Sequence, residues 1–210
     1  MAHPALPVML KFLDHYTYLF SLYTGYSNGN FLQVIAPRAN PDILAAYDAP
    51  VATHLIVRCI ASDGAGRRKQ SWRFLDRDRR IIERRMDADP AYDPRNRPWD
   101  RKALGSNKAI FTDPYVFSSS RLPGITCAEE LFPKNGVFGA DITLERFAQS
   151  LQRQKVSENS ALFLFDFEGR LIGHSQARLA ETIVSETNGN KTEALRFLKG
   201  SEVDDPVTRH

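Results

Sequence analysis

One strand-turn-strand pattern occurs twice in this chain, ninety residues apart. Leu75-Asp76-Arg77-Asp78-Arg79-Arg80-Ile81-Ile82 and Phe165-Asp166-Phe167-Glu168-Gly169-Arg170-Leu171-Ile172 both read apolar, Asp, any residue, acid, turn residue, Arg, apolar, Ile. Self-similarity at a fixed offset implies a repeated unit of structure, and this offset is about the size of a small α/β module. The expectation is two related modules in tandem, with chance similarity of two hairpins as the alternative. The 210 residues suffice to bury a core without staples. Length alone allows one large domain or two small ones.

The segments around the repeat predict an α+β chain in which strands dominate. Apolar residues spaced by three and four within 8–23 predict an amphipathic helix. The β-prone runs 22–26 and 31–35 flank Ser27-Asn28-Gly29-Asn30, a hairpin signal. Residues 37–50 read as loop, 54–60 as a strand, and 71–75 with 80–84 as a second hairpin. Three prolines within 87–100 exclude a long helix or central strand. That segment is expected as an ordered loop, because Tyr92, Arg97 and Trp99 can pack and hydrogen-bond. A short helix is expected at 100–105 and strands at 115–119, 124–130 and 136–142. A helix over 143–156 follows, with Thr143 as N-cap and Glu145 in its first turn, and it would connect the modules.

Charge and cysteine content exclude several classes. Lys plus Arg number 28 against 25 Asp plus Glu, a net charge of +3, too balanced for a dedicated nucleic-acid binder. Cys59 and Cys127 stand apart in apolar stretches with no CxxC pair, which argues against a zinc site or a disulfide scaffold. Two buried thiols are expected, with one long-range disulfide left open for an oxidising compartment. No apolar run approaches the ~18–20 residues that span a bilayer, and Lys11, Asp14 and His15 interrupt the apolar residues near the N-terminus.

Three constellations bear on function. The basic run from Arg67 to Arg85, with Trp72 and Phe74, imitates a nucleic-acid face. Asp76, Asp78 and Glu83 interleave with it, so a solvated hairpin surface is the expected reading. Phe74-Leu75-Asp76-Arg77-Asp78 imitates the DxD nucleophile motif of haloacid-dehalogenase-type phosphatases, in which the first Asp attacks phosphorus. Its place inside a hairpin favours an acidic β-turn. The third is Tyr92, Arg97 and Trp99 in one loop, with Tyr115 and Asp141 on later strands. Arg offers a planar fork to a carboxylate, Asp pairs with an ammonium group, and Tyr both donates and accepts. Together these suit a small zwitterion. The alternative is that Arg97 pairs with Asp93 or Asp113 and that Trp99 is core. Lone histidines His15, His54 and His174 have no spaced ligand partners, and no metal site, cofactor motif or catalytic residue is assigned.

The run Tyr92-Asp93-Pro94-Arg95-Asn96-Arg97-Pro98-Trp99 resembles the Cache family of extracytoplasmic sensors, in its double form. Further segments match in order: Tyr23 to Gly29, Phe74-Leu75-Asp76, Phe111 to Phe117, Gly124-Ile125-Thr126, Gly136 to Leu144, and Phe163 to Ser175. The resemblance covers roughly residues 12–176. It implies tandem PAS-like modules with antiparallel sheets, a distal ligand-binding module at 1–142, and a connecting helix with a partial membrane-proximal module at 143–210. It also implies a membrane-anchored parent, possible homodimerisation and a cytoplasmic output such as a nucleotide cyclase, kinase or chemoreceptor output. Carried over, Arg97 and Trp99 hold a ligand carboxylate, Asp141 holds its amino group, and Tyr92 and Tyr115 frame the pocket. Asp100 departs from the family pattern, which has an aromatic there. A carboxylate at that position is expected to disfavour a second acidic group on the ligand and to favour an extra ammonium. The missing transmembrane segment and short C-terminal portion imply an incomplete receptor, whether excised or truncated. The expected function is binding of an amino acid or related amine-bearing carboxylate, with a phosphatase using Asp76 and Asp78, or a ligand-free structural remnant, as alternatives.

Overall fold

The structure, a computed structural model, describes residues 3–154 apart from Gly64 and Asp89, then 157, 162–165 and 171–174, and the backbone of 180–187 and 190–197. These residues fall into two compact units. One comprises Met1–Asp113 and Thr126–Asp141, and the other Pro114–Ile125 with residues from Ile142 on.

The first unit is built on an antiparallel sheet. Its strands are β1 (Ser21–Tyr26), β2 (Phe31–Ile35), β3 (Leu55–Ser62), β4 (Arg68–Leu75) and β5 (Ile81–Ala88), with β6 (Ile110–Phe111), β8 (Pro123–Glu130) and β9 (Gly136–Thr143). The order is β5-β4-β3-β2-β1-β9-β8-β6, so the first strand lies between the second and the last. This is a PAS-like α+β arrangement, as expected. Helix α1 (Leu6–His15) buries Met9, Leu10 and Leu13 against β1 and β2. Each such burial contributes roughly 1.5–3 kcal/mol. Helix α1 is shorter than the predicted segment because its C-cap falls at Tyr16 and the chain then enters β1.

The β1–β2 hairpin turns where predicted, with Gly29 at φ 82° supplying the left-handed conformation. The predicted loop at 37–50 instead contains helix α2 (Pro41–Ala46). Asn40 caps it by accepting from the Asp42 and Ile43 amides, and Pro41 takes the first helical position, where its missing N–H costs nothing. The loop after β5 is ordered: a 3₁₀ turn spans Pro94–Asn96, capped by Asp93, and helix α3 (Pro98–Ala103) starts two residues earlier than expected.

The second unit holds β7 (Tyr115–Val116), which pairs with the first residues of β8. β7 is shorter than predicted because Phe117 begins a turn, bonding its amide to the Leu122 carbonyl, with Arg121 at φ 57°. Helix α4 (Leu144–Arg153) follows, and the Thr143 hydroxyl accepts from the Arg146 amide as predicted. β10 (Phe163–Phe165) pairs with β11 (Leu171–His174), and β12 (Ala180–Thr187) with β13 (Asn190–Phe197).

Both copies of the repeated pattern are hairpins. Leu75 pairs with Ile81, and Phe165 with Leu171, at equivalent positions. The register shifts at the same step in each, between Phe74 and Leu75 and between Leu164 and Phe165. The turn residues 166–170 of the second copy lie outside the described residues. The two cysteines are free and half-buried rather than fully buried. Their strands alternate faces, and burial still pushes both thiols above the usual pKa.

Candidate functional site

The register of the first unit fixes which side chains share a face. One face carries Ser21, Tyr23 and Gly25 on β1, Phe31, Gln33 and Ile35 on β2, and Ile56, Arg58 and Ile60 on β3. Asp141 and Gly139 on β9 lie opposite Ser21 and Tyr23. The 92–100 segment covers this face. Trp99 packs on Tyr23 at 4.7 Å between ring centroids, and Tyr92 packs on Phe31 at 4.9 Å. Gly25 admits that approach, since a Cβ there would lie 2.6 Å from Trp99 Cη2 and 2.8 Å from Pro94 Cβ.

Asp141 is buried in a cradle of hydroxyls. Its Oδ1 accepts from Tyr23 at 2.7 Å and from Thr126 at 2.6 Å, and its Oδ2 accepts from Ser21 at 2.8 Å. Burial pushes its pKa up to about 6, although the three hydroxyls and the Arg97 charge each act to lower it. Gln33 extends the chain, its amide nitrogen donating to Ser21 Oγ at 3.2 Å.

The charge of Arg97 acts on Asp141. It makes no ion pair or side-chain hydrogen bond among the described residues, and its Nε is buried without a partner. Its Cζ lies 5.8 Å from the centre of the Tyr92 ring. The pairing weighed for it is taken elsewhere: Asp93 holds Arg95 at 2.6 Å, and Asp113 faces Lys102 at 3.8 Å. Burial pushes the Tyr92 hydroxyl's pKa up. Trp99, 2% exposed, is a core residue beneath which Tyr23 packs.

Of the six residues singled out in the sequence, Tyr92, Arg97, Trp99 and Asp141 lie together on this face. Asp100 is buried in α3, and the charges acting on it are those of Asp93, Arg95 and Arg101. Burial, reinforced by Asp93, pushes its pKa up to about 6. Tyr115 belongs to the second unit, where its ring meets Phe117 edge-on at 5.2 Å.

Ser21, Tyr23, Thr126, Gln33 and Arg58 complete the first-unit face and were not singled out for it. Arg58 is buried on β3, its Nε donating to Gln70 Oε1 at 2.7 Å. Its guanidinium lies between the rings of Tyr92 at 4.4 Å and Trp72 at 4.9 Å. A sequence signal for two of these exists: Gln33 and Arg58 each interrupt an otherwise apolar strand, Phe31–Ile35 and Leu55–Ile60.

The other two constellations resolve as surface. Asp76 Oδ1 accepts from the Arg80 amide at 2.8 Å, closing the β4–β5 turn, and Asp78 faces Arg80 at 3.8 Å in the open. Among the described residues no group of acidic, His or Cys side chains is arranged to hold a metal ion. Most of the basic run is exposed along the hairpin, while Arg68 turns in to bond the Tyr92 carbonyl at 2.7 Å.

The first unit thus brings a buried carboxylate and a guanidinium with no ion pair among the described residues under one loop. The chain is 29% identical over 168 residues to adenylate cyclase 1 of Rhizobium meliloti, covering 78% of this chain and 25% of the cyclase. It is 28% identical over 116 residues to the methyl-accepting chemotaxis protein McpB of Bacillus subtilis, covering 53% of this chain and 18% of that protein. The chain thus spans about a quarter or less of the curated relatives it matches. Among solved structures, the ligand-binding domain of the Pseudomonas fluorescens chemoreceptor CtaA with L-serine aligns at TM-score 0.45 and 18% identity, over 83% of this chain and 56% of that one. No protein-family profile matches. The chain is thus similar in sequence to part of a bacterial adenylate cyclase and to part of a bacterial chemotaxis receptor.

Proposed function

We propose that the first unit binds an amino acid or related amine-bearing carboxylate and that it serves as the extracytoplasmic sensing part of a membrane-anchored bacterial receptor. One observation carries this reading: Arg97 and Asp141 are opposite charges under one loop, and neither is neutralised by an ion pair with the other or with another described side chain. A zwitterion complements both. The guanidinium fork takes the carboxylate, Asp141 takes the ammonium, and Tyr92 and Trp99 close over the ligand's stem. The role expected of Asp100 is not carried forward, because the charges acting on it are those of its own loop and helix.

Residues 1–142 are proposed as the distal module and 143–210 as the connecting helix and part of a proximal one. The chain is proposed to bind and not to turn its ligand over. Any cyclase, kinase or chemotactic output, and membrane anchoring, are proposed to belong to other parts of a receptor. Homodimerisation is proposed as the way binding is transmitted. Ligand then shifts a two-state equilibrium by its differential affinity.

A thermal-shift screen of amino acids, amines and organic acids tests the reading, because a ligand that binds only the folded state raises the melting temperature. Stabilisation by amino acids and not by the corresponding acids or amines alone is expected. No stabilisation by any compound sinks it.

A further inference from the structure

Gln33 stands on the site face with Tyr23 on one side and Arg58 on the other, in register across β1, β2 and β3. Trp99 leans on Tyr23 and Tyr92 on Arg58, so the amide lies beneath the loop that carries Arg97. The side chain is 6% exposed. Its Nε2 donates to Ser21 Oγ, and its Oε1 is buried with no hydrogen-bond partner among the described residues.

The orientation of the amide follows from its neighbours. Ser21 has a single hydroxyl proton, and it goes to Asp141 Oδ2. Ser21 Oγ therefore accepts from Gln33, which must present its NH₂ to Ser21 and turn its oxygen away. An orphaned buried acceptor costs about 1–3 kcal/mol, so a fold retains one where something satisfies it.

Asp141 alone cannot satisfy an ammonium group. Two of its oxygen's lone pairs on Oδ1 are taken by Tyr23 and Thr126, and one on Oδ2 by Ser21. One acceptor position remains there, while an ammonium carries three donors.

We infer that Gln33 is a ligand-binding residue whose Oε1 accepts an N–H from the ligand's ammonium group, completing the site that Asp141 begins. This rests on the function proposed above and narrows its ligand class to primary or secondary amines. A quaternary amine has the charge for Asp141 but no N–H for Gln33.

Isothermal titration on the full chain tests the inference, with the twenty proteinogenic L-amino acids as probes and the tightest binder carried forward. Gln33→Met keeps the length and removes the acceptor, and is expected to weaken that amino acid by about ten- to a hundredfold. Gln33→Glu keeps an acceptor at the same reach, though it gives up the donor to Ser21, and is expected to lose clearly less affinity than Gln33→Met. On the unsubstituted chain, the N,N,N-trimethyl form of the same amino acid is expected to lose at least tenfold, an arm that needs no variant to fold. Gln33→Met binding within threefold of the unsubstituted chain overturns the inference, as does full affinity for the trimethyl form. Equal losses in both variants assign Gln33 a structural role and overturn it too. If the unsubstituted chain binds none of the twenty, the proposed function itself fails.

Discussion

The ring of Tyr23 lies against the backbone of Gly139, its register partner on β9, and from there its hydroxyl reaches Asp141 two residues on. A Cβ at Gly139 would fall 2.6 Å from Tyr23 Cζ, closer than non-bonded carbons approach. Gly139→Ala must displace the ring. Overpacking of this kind typically costs about 1–3 kcal/mol. Urea unfolding should show a loss in that range, accompanied by weakened ligand binding because Asp141 loses one of its hydroxyls. Unchanged stability and affinity would mean that Tyr23 does not set the position of the carboxylate.

Asp141→Asn should alter how stability depends on pH. Folding raises this carboxyl to about 6 from an unfolded value near 4, so the folded state binds the extra proton between those values. The group's contribution to stability is therefore fullest below about pH 4 and is lost as pH rises through about 6, by roughly 3 kcal/mol in all. Asp100 also titrates near 6 but is common to both proteins and cancels in the difference. Unfolding free energies of the two, measured from pH 4 to 8, should diverge by that amount, with the unsubstituted chain losing ground. Amino-acid affinity should move the other way. It should rise about tenfold from pH 5 to 7 as the carboxylate ionises to meet an ammonium, and the rise should vanish in the variant.

Arg97→Ala separates binding from folding. With no ion pair to break among the described residues, the substitution should change unfolding free energy by no more than about 0.5 kcal/mol. Titration of the same amino acid should weaken by at least about tenfold, the scale of a lost charge-assisted hydrogen bond. Intact affinity would place the carboxylate elsewhere.

Asp76→Ala addresses the phosphatase reading directly. The carboxylate holds the β4–β5 turn through the Arg80 amide, so its loss should cost about 1 kcal/mol and leave ligand binding alone. A colorimetric phosphatase assay with Mg²⁺ should show no turnover by either protein. Turnover abolished by the substitution would reinstate that alternative.

Legibility from sequence tracked the range of the interaction that decided each feature. The Asn28-Gly29 turn and the Thr143 cap depend on residues within a few positions and were readable. Helix α2 carried its own signal in Asn40-Pro41, but six residues give too little periodicity to outweigh the surrounding turn formers. In the site, Tyr92, Arg97 and Trp99 share one loop, and Asp141 was legible as a carboxylate on a later strand suited to an ammonium group. Ser21 and Thr126 were not readable. Ser21 meets Asp141 across 120 residues of chain, and only the register of β1 against β9 brings them together. The Arg97–Asp93 pairing looked plausible from proximity in sequence, yet Arg95 is the residue the 3₁₀ turn sets beside Asp93.

The row from Gly139 through Tyr23 and Gln33 to Arg58 crosses four neighbouring strands. Strands in a sheet lie about 4.8 Å apart, so the hydrogen-bond ladder works as a ruler. On the function proposed above, a small amino acid held at Asp141 and Arg97 would lie beside this row, which ends on β3 at a buried guanidinium. A ligand long enough to meet Arg58 would gain a charged contact that a shorter one lacks, so affinity across a series of lengthening side chains should step up where that contact begins.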